Sequence, residues 1–134
     1  MQSPKKSNQF SMAQNKIIDD FRKLQSLLDS GATFIAFDTE TTGLNSTSDR
    51  VIEIWAIKFD KSGVIDKFET LINPQRSIPT ECTEINHITD EMVKDAPLAV
   101  DALVSFSEFA KDSILIAHNV NFDLNFISEE LART

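Results

Sequence analysis

The sequence has 134 residues, with 21 acidic and 13 basic side chains and a formal net charge of −8. This length suits one domain with a core and is too short for two, and the charge argues against a broad basic surface that wraps nucleic acid. An enzyme that meets only the end of a nucleic-acid strand is not excluded, because bound metal ions invert the local field. The one cysteine, Cys82, permits no internal disulfide, which favours a cytoplasmic location.

The N-terminal part reads as a polar leader followed by a helix. Residues 1–15 hold few large apolar side chains and no apolar signal region, and no stretch of the sequence approaches the roughly 18 apolar residues that span a membrane. Apolar residues between Lys16 and Asp29 follow the helical period, so we expect a helix over 16–30 that ends near Gly31. Its apolar stripe predicts packing against the core or, alternatively, against a partner helix.

Three strands are predicted next. The first covers 33–37, a polar turn covers 44–49, and the second strand covers 51–59 with Glu53 in its middle. The third strand covers 64–72. Because so short a loop joins the second and third strands, we expect them to be antiparallel.

The second half of the chain predicts helices around one more strand. Thr80 and Thr89 are candidate caps of two short helices, and the residues 99–110 and 121–132 have helical patterns on either side of a short strand over 113–117. This order favours an α/β domain. The fourth strand, reached through a helical crossover, should lie parallel to the first.

Two acids one residue apart, Asp38 and Glu40, follow the first apolar run. Side chains at i and i+2 of a strand share one face, so this pair can bind a hard divalent cation together. A strand that simply ends in two solvated acids is the alternative. No other acid-x-acid pair occurs in the sequence.

A second polar cluster, residues 118–123, lies where the fourth strand gives way to a helix. Open α/β sheets bind their ligands at such strand ends. Asp123 would fall in the first helical turn, where the helix dipole alone explains an acid, and His118 and Asn119 are also ordinary turn residues. If the fourth strand neighbours the first, three carboxylates meet at one edge of the sheet.

Four stretches in order, residues 34–44, 50–54, 73–97 and 117–127, resemble the DEDD family of 3′–5′ exonucleases, and among them the epsilon-type proofreading exonucleases of bacterial DNA polymerase III. The resemblance implies a ribonuclease H-like mixed sheet, three antiparallel strands plus a parallel strand, flanked by helices. It also implies a site for two Mg²⁺ or Mn²⁺ ions. By the same resemblance Asp38 bridges both metals, Glu40 ligates the metal that activates water, and Asp123 holds the second metal.

The resemblance also implies substrate contacts. The terminal nucleotide would be held by the main chain at Thr39 and by the turn that follows the acids, with Leu44 wedged against a base. That turn consists of Thr41, Thr42, Gly43 and Leu44. Glu53 matches a strand acid near the nucleotide, while His118, Asn119 and Phe122 match residues of the pocket floor. For Phe122 a core position is favoured over direct stacking.

The sequence departs from the family after Asp123. The family's third motif, His-x-x-x-x-Asp or Tyr-x-x-x-Asp, supplies a general base and a fourth carboxylate, but residues 124–134 contain no His, Tyr or Asp. We therefore expect a fold without its last strand and helix, an uncovered sheet edge, and weak or absent activity of this chain alone. His87 is a poor substitute base and reads as a loop residue. Trp55 stands where many relatives keep glycine.

The leading hypothesis is thus a truncated, metal-dependent 3′–5′ exonuclease domain, residues 16–134, that removes nucleotides from single-stranded 3′ ends of DNA, with RNA left open as a substrate. A DNA polymerase subunit is the partner that the resemblance suggests. The alternative is a non-catalytic module on the same fold that binds nucleic acid or protein.

Overall fold

A computed structural model describes residues 20–133. The predicted leader, the first residues of the predicted N-terminal helix and Thr134 lie outside this range. The elements, in order, are α1 (Phe21–Asp29), β1 (Phe34–Thr41), β2 (Val51–Asp60), β3 (Gly63–Leu71), α2 (Thr80–Asn86), α3 (Asp90–Val93), α4 (Ala99–Ala110), β4 (Ile114–Ile116) and α5 (Val120–Ala132).

Helix α1 is shorter and more exposed than its sequence pattern predicts. Asp20 has an extended backbone, and its side chain accepts a hydrogen bond from the Arg22 N–H, so the helix begins at Phe21 rather than running on from Lys16. Phe21 is 75% exposed, and no residue of α1 is fully buried. Leu24, Leu27 and Leu28 are half-buried, so the apolar stripe of the described part of the helix is partly covered rather than fully buried in the core.

The four strands form one mixed sheet in the order β3-β2-β1-β4. β1 pairs with β2 and β2 with β3 in antiparallel fashion, whereas β4 lies parallel to β1. This confirms the predicted arrangement of strands. Within residues 20–133 no fifth strand pairs with β4, so β4 and β3 are the two edges of the sheet.

Helices α4 and α5 cover one face of this sheet. Alternate residues of β1 and β2 point toward them, as the two-residue period of a strand requires. The resulting core is made of the following side chains: Ile35, Phe37, Ile54, Ala56, Leu103, Phe106, Leu124 and Ile127. A smaller core under α2 and α3 contains Ile52, Ile78, Ile88 and Val93.

Of the two threonines predicted to cap the short helices, one is a cap in the structure and the other is not. Thr89 is the N-cap of α3, and its hydroxyl accepts a hydrogen bond from the Met92 N–H at 3.3 Å. Thr80 is not a cap, because α2 already begins at Thr80 and its N-cap is Pro79. The fixed backbone of proline suits an extended entry into a helix, and no side chain is needed to set it.

His87 ends α2 with a left-handed backbone, at φ 63°. Its N–H donates to the Thr83 carbonyl at 2.7 Å, which is the usual role of the residue after a helix. The side chain is exposed. The structure therefore supports the interpretation of His87 as a loop residue.

No helix among residues 20–133 combines the length and the apolar character needed to cross a lipid bilayer.

Candidate active site

The parallel pairing of β1 with β4 creates the edge at which the polar motifs meet. The last paired residues are Ala36 and Ile116. Asp38 lies two residues beyond this pair on β1, and His118 lies two residues beyond it on the other chain segment. Strand β1 itself runs on to Thr41, four residues further than predicted, so Asp38 and Glu40 lie inside the strand.

Asp38 and Glu40 point to the face of the sheet that lies opposite α4 and α5. Thr39, between them, points to the covered face, where its hydroxyl donates to Oδ1 of Asp123 at 2.5 Å. The N–H of Thr39 donates to Oδ1 of Asp38 at 2.9 Å. Thr39 thus connects the two carboxylates, which reach the edge from opposite faces of the sheet.

These acids are held close to one another without a neutralising partner. Burial raises the pKa of Glu40, and the charges of Asp38 and Asp123 raise it further. Burial also raises the pKa of Asp123, partly offset by the Thr39 hydrogen bond, and Asp38 adds to the increase. None of the ion pairs found within residues 20–133 involves any of the three.

Glu53 extends the acidic region onto β2. It is the direct cross-strand partner of Glu40, an arrangement in which like charges repel. Burial raises the pKa of Glu53, and the charges of Glu69, Glu40 and Asp38 add to the increase. The side chain therefore lies beside the acids of β1 on the same sheet face.

The donor chemistry of these residues fits a divalent cation. Carboxylates are the ligands that Mg²⁺ and Mn²⁺ prefer, and a bound cation would offset both the burial and the charge repulsion that raise the pKa values of Glu40 and Asp123. However, in the described part of the chain no three His, Cys, Asp or Glu side chains lie close enough together to ligate one ion. The acids therefore have the charge and the donor atoms that suit a metal ion, but they do not form a complete set of ligands around one position.

The turn after β1 is built around Gly43 and Asp49. A Cβ atom added at Gly43 would collide with the carboxylate of Asp49, which would have to move to admit any larger residue. That carboxylate accepts hydrogen bonds from the Thr42 hydroxyl at 3.0 Å, the Asn45 N–H at 3.1 Å and Arg76 at 3.0 Å. The hydroxyl of Thr41 donates to the Gly43 carbonyl at 2.5 Å, which tightens the turn.

Leu44 is the residue that this turn presents to solvent. Its side chain is 87% exposed, whereas Thr42 beside it is buried. The exposed side chain of Leu44 is accessible to a ligand.

The pocket-floor candidates differ from one another. Asn119 is the N-cap of α5, and its side chain accepts from the Phe122 N–H at 3.4 Å. His118 is exposed and adjoins this cap. The ring of Phe122 lies tilted against that of Phe126, with centroids 4.9 Å apart, and packs against the core, which favours the core interpretation of this residue.

Cys82 faces the same turn from α2. Its thiol donates to the Thr42 carbonyl at 3.2 Å, and burial followed by the charges of Glu81 and Asp49 raises its pKa. A thiol with a raised pKa is a weaker nucleophile at neutral pH. Cys82 is therefore a poor candidate for a catalytic nucleophile.

The sequence analysis missed an ion-pair network behind the turn. Glu130 of α5 is buried and binds Arg50 and Arg133, as described below. One signal was available: Glu130 follows Asp123 by seven residues, which puts both acids on the same side of a helix.

A family model described as an exonuclease (RNase_T) matches residues 35–134. The chain belongs to this exonuclease family. It is 50% identical over 99 residues to "DNA polymerase III subunit epsilon" of Treponema pallidum, and 47% identical over 97 residues to "DNA polymerase III PolC-type" of Caldanaerobacter subterraneus. The structure of "Exonuclease X in complex with 5′ overhanging duplex DNA" superposes with a TM-score of 0.61 at 26% identity, covering 70% of this chain and 53% of that one.

These matches confirm the family resemblance and the ribonuclease H-like fold. They cover 74% and 72% of this chain but only 46% of the epsilon relative and 7% of the PolC-type relative. The chain therefore spans about half the length of the first of these proteins and a small part of the second.

Proposed function

We propose that this chain is a metal-dependent 3′–5′ exonuclease domain that hydrolyses the terminal phosphodiester at 3′ ends of DNA. The observation that carries the proposal is the set of uncompensated carboxylates Asp38, Glu40 and Asp123 at one edge of the sheet. Exonucleases of this family generally use divalent metal ions, and the acids here have the charge and donor type for them.

Asp38, Glu40 and Asp123 would hold the Mg²⁺ or Mn²⁺ ions. Metal ions bound there would supply charge neutralisation for the phosphate and a more acidic water as the nucleophile. Thr39 keeps the Asp123 carboxylate turned toward the edge through its hydroxyl. Leu44, on a turn held rigid by Asp49, would contact the terminal base, while Glu53 and His118 border the nucleotide from β2 and from the start of α5.

Residues 124–134 supply no His, Tyr or Asp to act as the base of the third family motif. Loss of a general base typically costs 10²–10⁴-fold in rate, so we expect slow turnover from this chain alone. The second candidate is a module on the same fold that binds a DNA end without cutting it.

A single-stranded DNA oligonucleotide labelled at its 5′ end, incubated with Mn²⁺, separates the two candidates. Progressively shorter labelled products establish 3′–5′ removal, and Asp38→Ala should abolish them. Binding by fluorescence anisotropy without shortening establishes the binding module instead. Products that Asp38→Ala leaves unchanged would contradict both the site and the proposal.

The same experiment with an RNA oligonucleotide decides the substrate class. The proposal also places the chain in the cytoplasm and implies a DNA polymerase subunit as its partner, since the Treponema pallidum relative carries the name of a polymerase III subunit. Co-elution of the purified chain with the polymerase subunit of its own source, in size-exclusion chromatography, tests this partner.

A further inference from the structure

The loop that carries Leu44 is closed at its base by two hydrogen bonds, one between main-chain groups and one from a main-chain N–H to a side-chain hydroxyl. The N–H of Thr42 donates to the Arg50 carbonyl at 2.9 Å, and the N–H of Arg50 donates to the Thr42 hydroxyl at 3.0 Å. Between these two residues lies the segment 43–49, which we call the 43–49 loop. Its position is fixed from outside by helix α5.

Glu130 of α5 holds the base of the loop. Its carboxylate, only 1% exposed, accepts from Nε and Nη2 of Arg50 at 2.9–3.2 Å and from the Val51 N–H at 2.9 Å. It also accepts from Nη1 of Arg133 at 3.1 Å. Such a two-pronged arginine–carboxylate contact fixes direction as well as distance.

Arg133 continues this contact into the loop itself. Its Nη2 donates to three main-chain carbonyls, those of Ser46 at 2.9 Å, Thr47 at 3.1 Å and Asp49 at 3.3 Å. Glu130 therefore orients one arginine that holds the base of the loop and another that holds its main chain.

The same helix also carries Asp123, seven residues earlier and about 10.5 Å along the axis. We propose that Glu130, through Arg50 and Arg133, is a positioning residue that fixes the 43–49 loop relative to the carboxylates. Helix α5 then sets the distance between the turn that contacts the terminal nucleotide and the acids that act on its phosphate. This inference rests on the proposed function for the identity of the ligand.

Amide hydrogen exchange of the 134-residue chain tests the proposal. Glu130→Gln removes the charge that keeps the two guanidinium groups together. Because a hydrogen bond to a charged group is lost, amides of the 43–49 loop should exchange at least about tenfold faster, while those of β1 and β2 keep their protection. Glu129→Gln, the same change at the neighbouring position, should leave the loop unchanged.

Arg133→Gln provides a second variant if Glu130→Gln does not fold, since Glu130 keeps Arg50 as its partner. It should loosen the 43–49 loop alone. Unchanged loop exchange in both variants would overturn the proposal, and so would equal acceleration throughout β1 and β2, which would make Glu130 a general stabilising residue.

Affinity for a single-stranded DNA oligonucleotide, measured by anisotropy, should fall in the variants as the loop loosens. A loosened loop with unchanged affinity would overturn the positioning role. If the unmodified chain binds no oligonucleotide, the proposed function fails, whereas the exchange data still decide whether Glu130 fixes the loop.

Discussion

Helix α5 carries two buried carboxylates seven residues apart, and their surroundings are opposite. Glu130 meets two guanidinium groups and a main-chain N–H. Asp123, only 3% exposed, meets a threonine hydroxyl and the negative charge of Asp38. Burying an acid is costly unless it is paired, so the structure supplies the partners of Glu130 and leaves those of Asp123 to come from outside. The difference separates an acid that stabilises the fold from an acid suited to bind a ligand.

The largest effect on stability is expected at the paired acid. Glu130→Ala leaves two arginines without their common partner and should lower the free energy of unfolding by about 3 kcal/mol. Denaturant unfolding measures this change. Glu129→Ala is the control and should stay within about 0.5 kcal/mol of the unmodified chain. An equal loss in both variants would mean that the ion pairs of Glu130 do not explain the effect.

A smaller loss of stability is expected at Gly43, where the turn packs against the carboxylate of Asp49. Gly43→Ala places a methyl group against Asp49 and should cost about 1–3 kcal/mol in unfolding free energy, the usual range for a forced steric shift. A double-mutant cycle checks the cause, because the penalty should largely disappear in an Asp49→Ala background. A penalty that persists there would point to backbone strain instead of the contact.

Replacing Asp123, the acid without an ion-pair partner, should raise the free energy of unfolding rather than lower it. The pKa of Asp123 is raised above its usual 3.8, so the folded state binds this proton more tightly than the unfolded state does. Its contribution to stability therefore falls as pH rises from 3.8 through the raised pKa, and the cost remains at neutral pH. Asp123→Asn keeps an acceptor for Thr39 and removes that cost.

We therefore expect Asp123→Asn to unfold at a higher denaturant concentration than the unmodified chain at pH 7, and at a similar one near pH 3. Glu129→Gln, measured at both pH values, is the control for loss of one negative charge. A neutral-pH stability that drops in Asp123→Asn would show that the ionised carboxylate is itself stabilising.

The sequence predicted the sheet well because strand patterns and the family motifs agree. The place of Asp123 in the first turn of α5 followed from the pattern of that helix, and its position near β1 followed from the crossover rule. The sequence also predicted that Asp38 and Glu40 share one face of a strand, and both residues lie inside β1.

Other features depend on tertiary contacts that no local pattern reveals. The exposure of Phe21 was missed because periodicity shows that a stripe exists but not what covers it. The role of Pro79 at the start of α2 was missed because Thr80 resembles a cap. Arg50 and Glu130 lie 80 residues apart in the chain, so their pairing could not be read from either neighbourhood.

The central claim is that Asp38, Glu40 and Asp123 bind a divalent cation. Thermal unfolding measured at increasing Mn²⁺ concentrations tests it. Binding to the folded state alone should raise the unfolding midpoint, with about 2.7 kcal/mol of added stability at a metal concentration one hundred times the dissociation constant. The rise should be lost in Asp38→Ala and retained in Glu129→Gln. A midpoint that does not respond to Mn²⁺, or that rises equally in Asp38→Ala, would contradict the account.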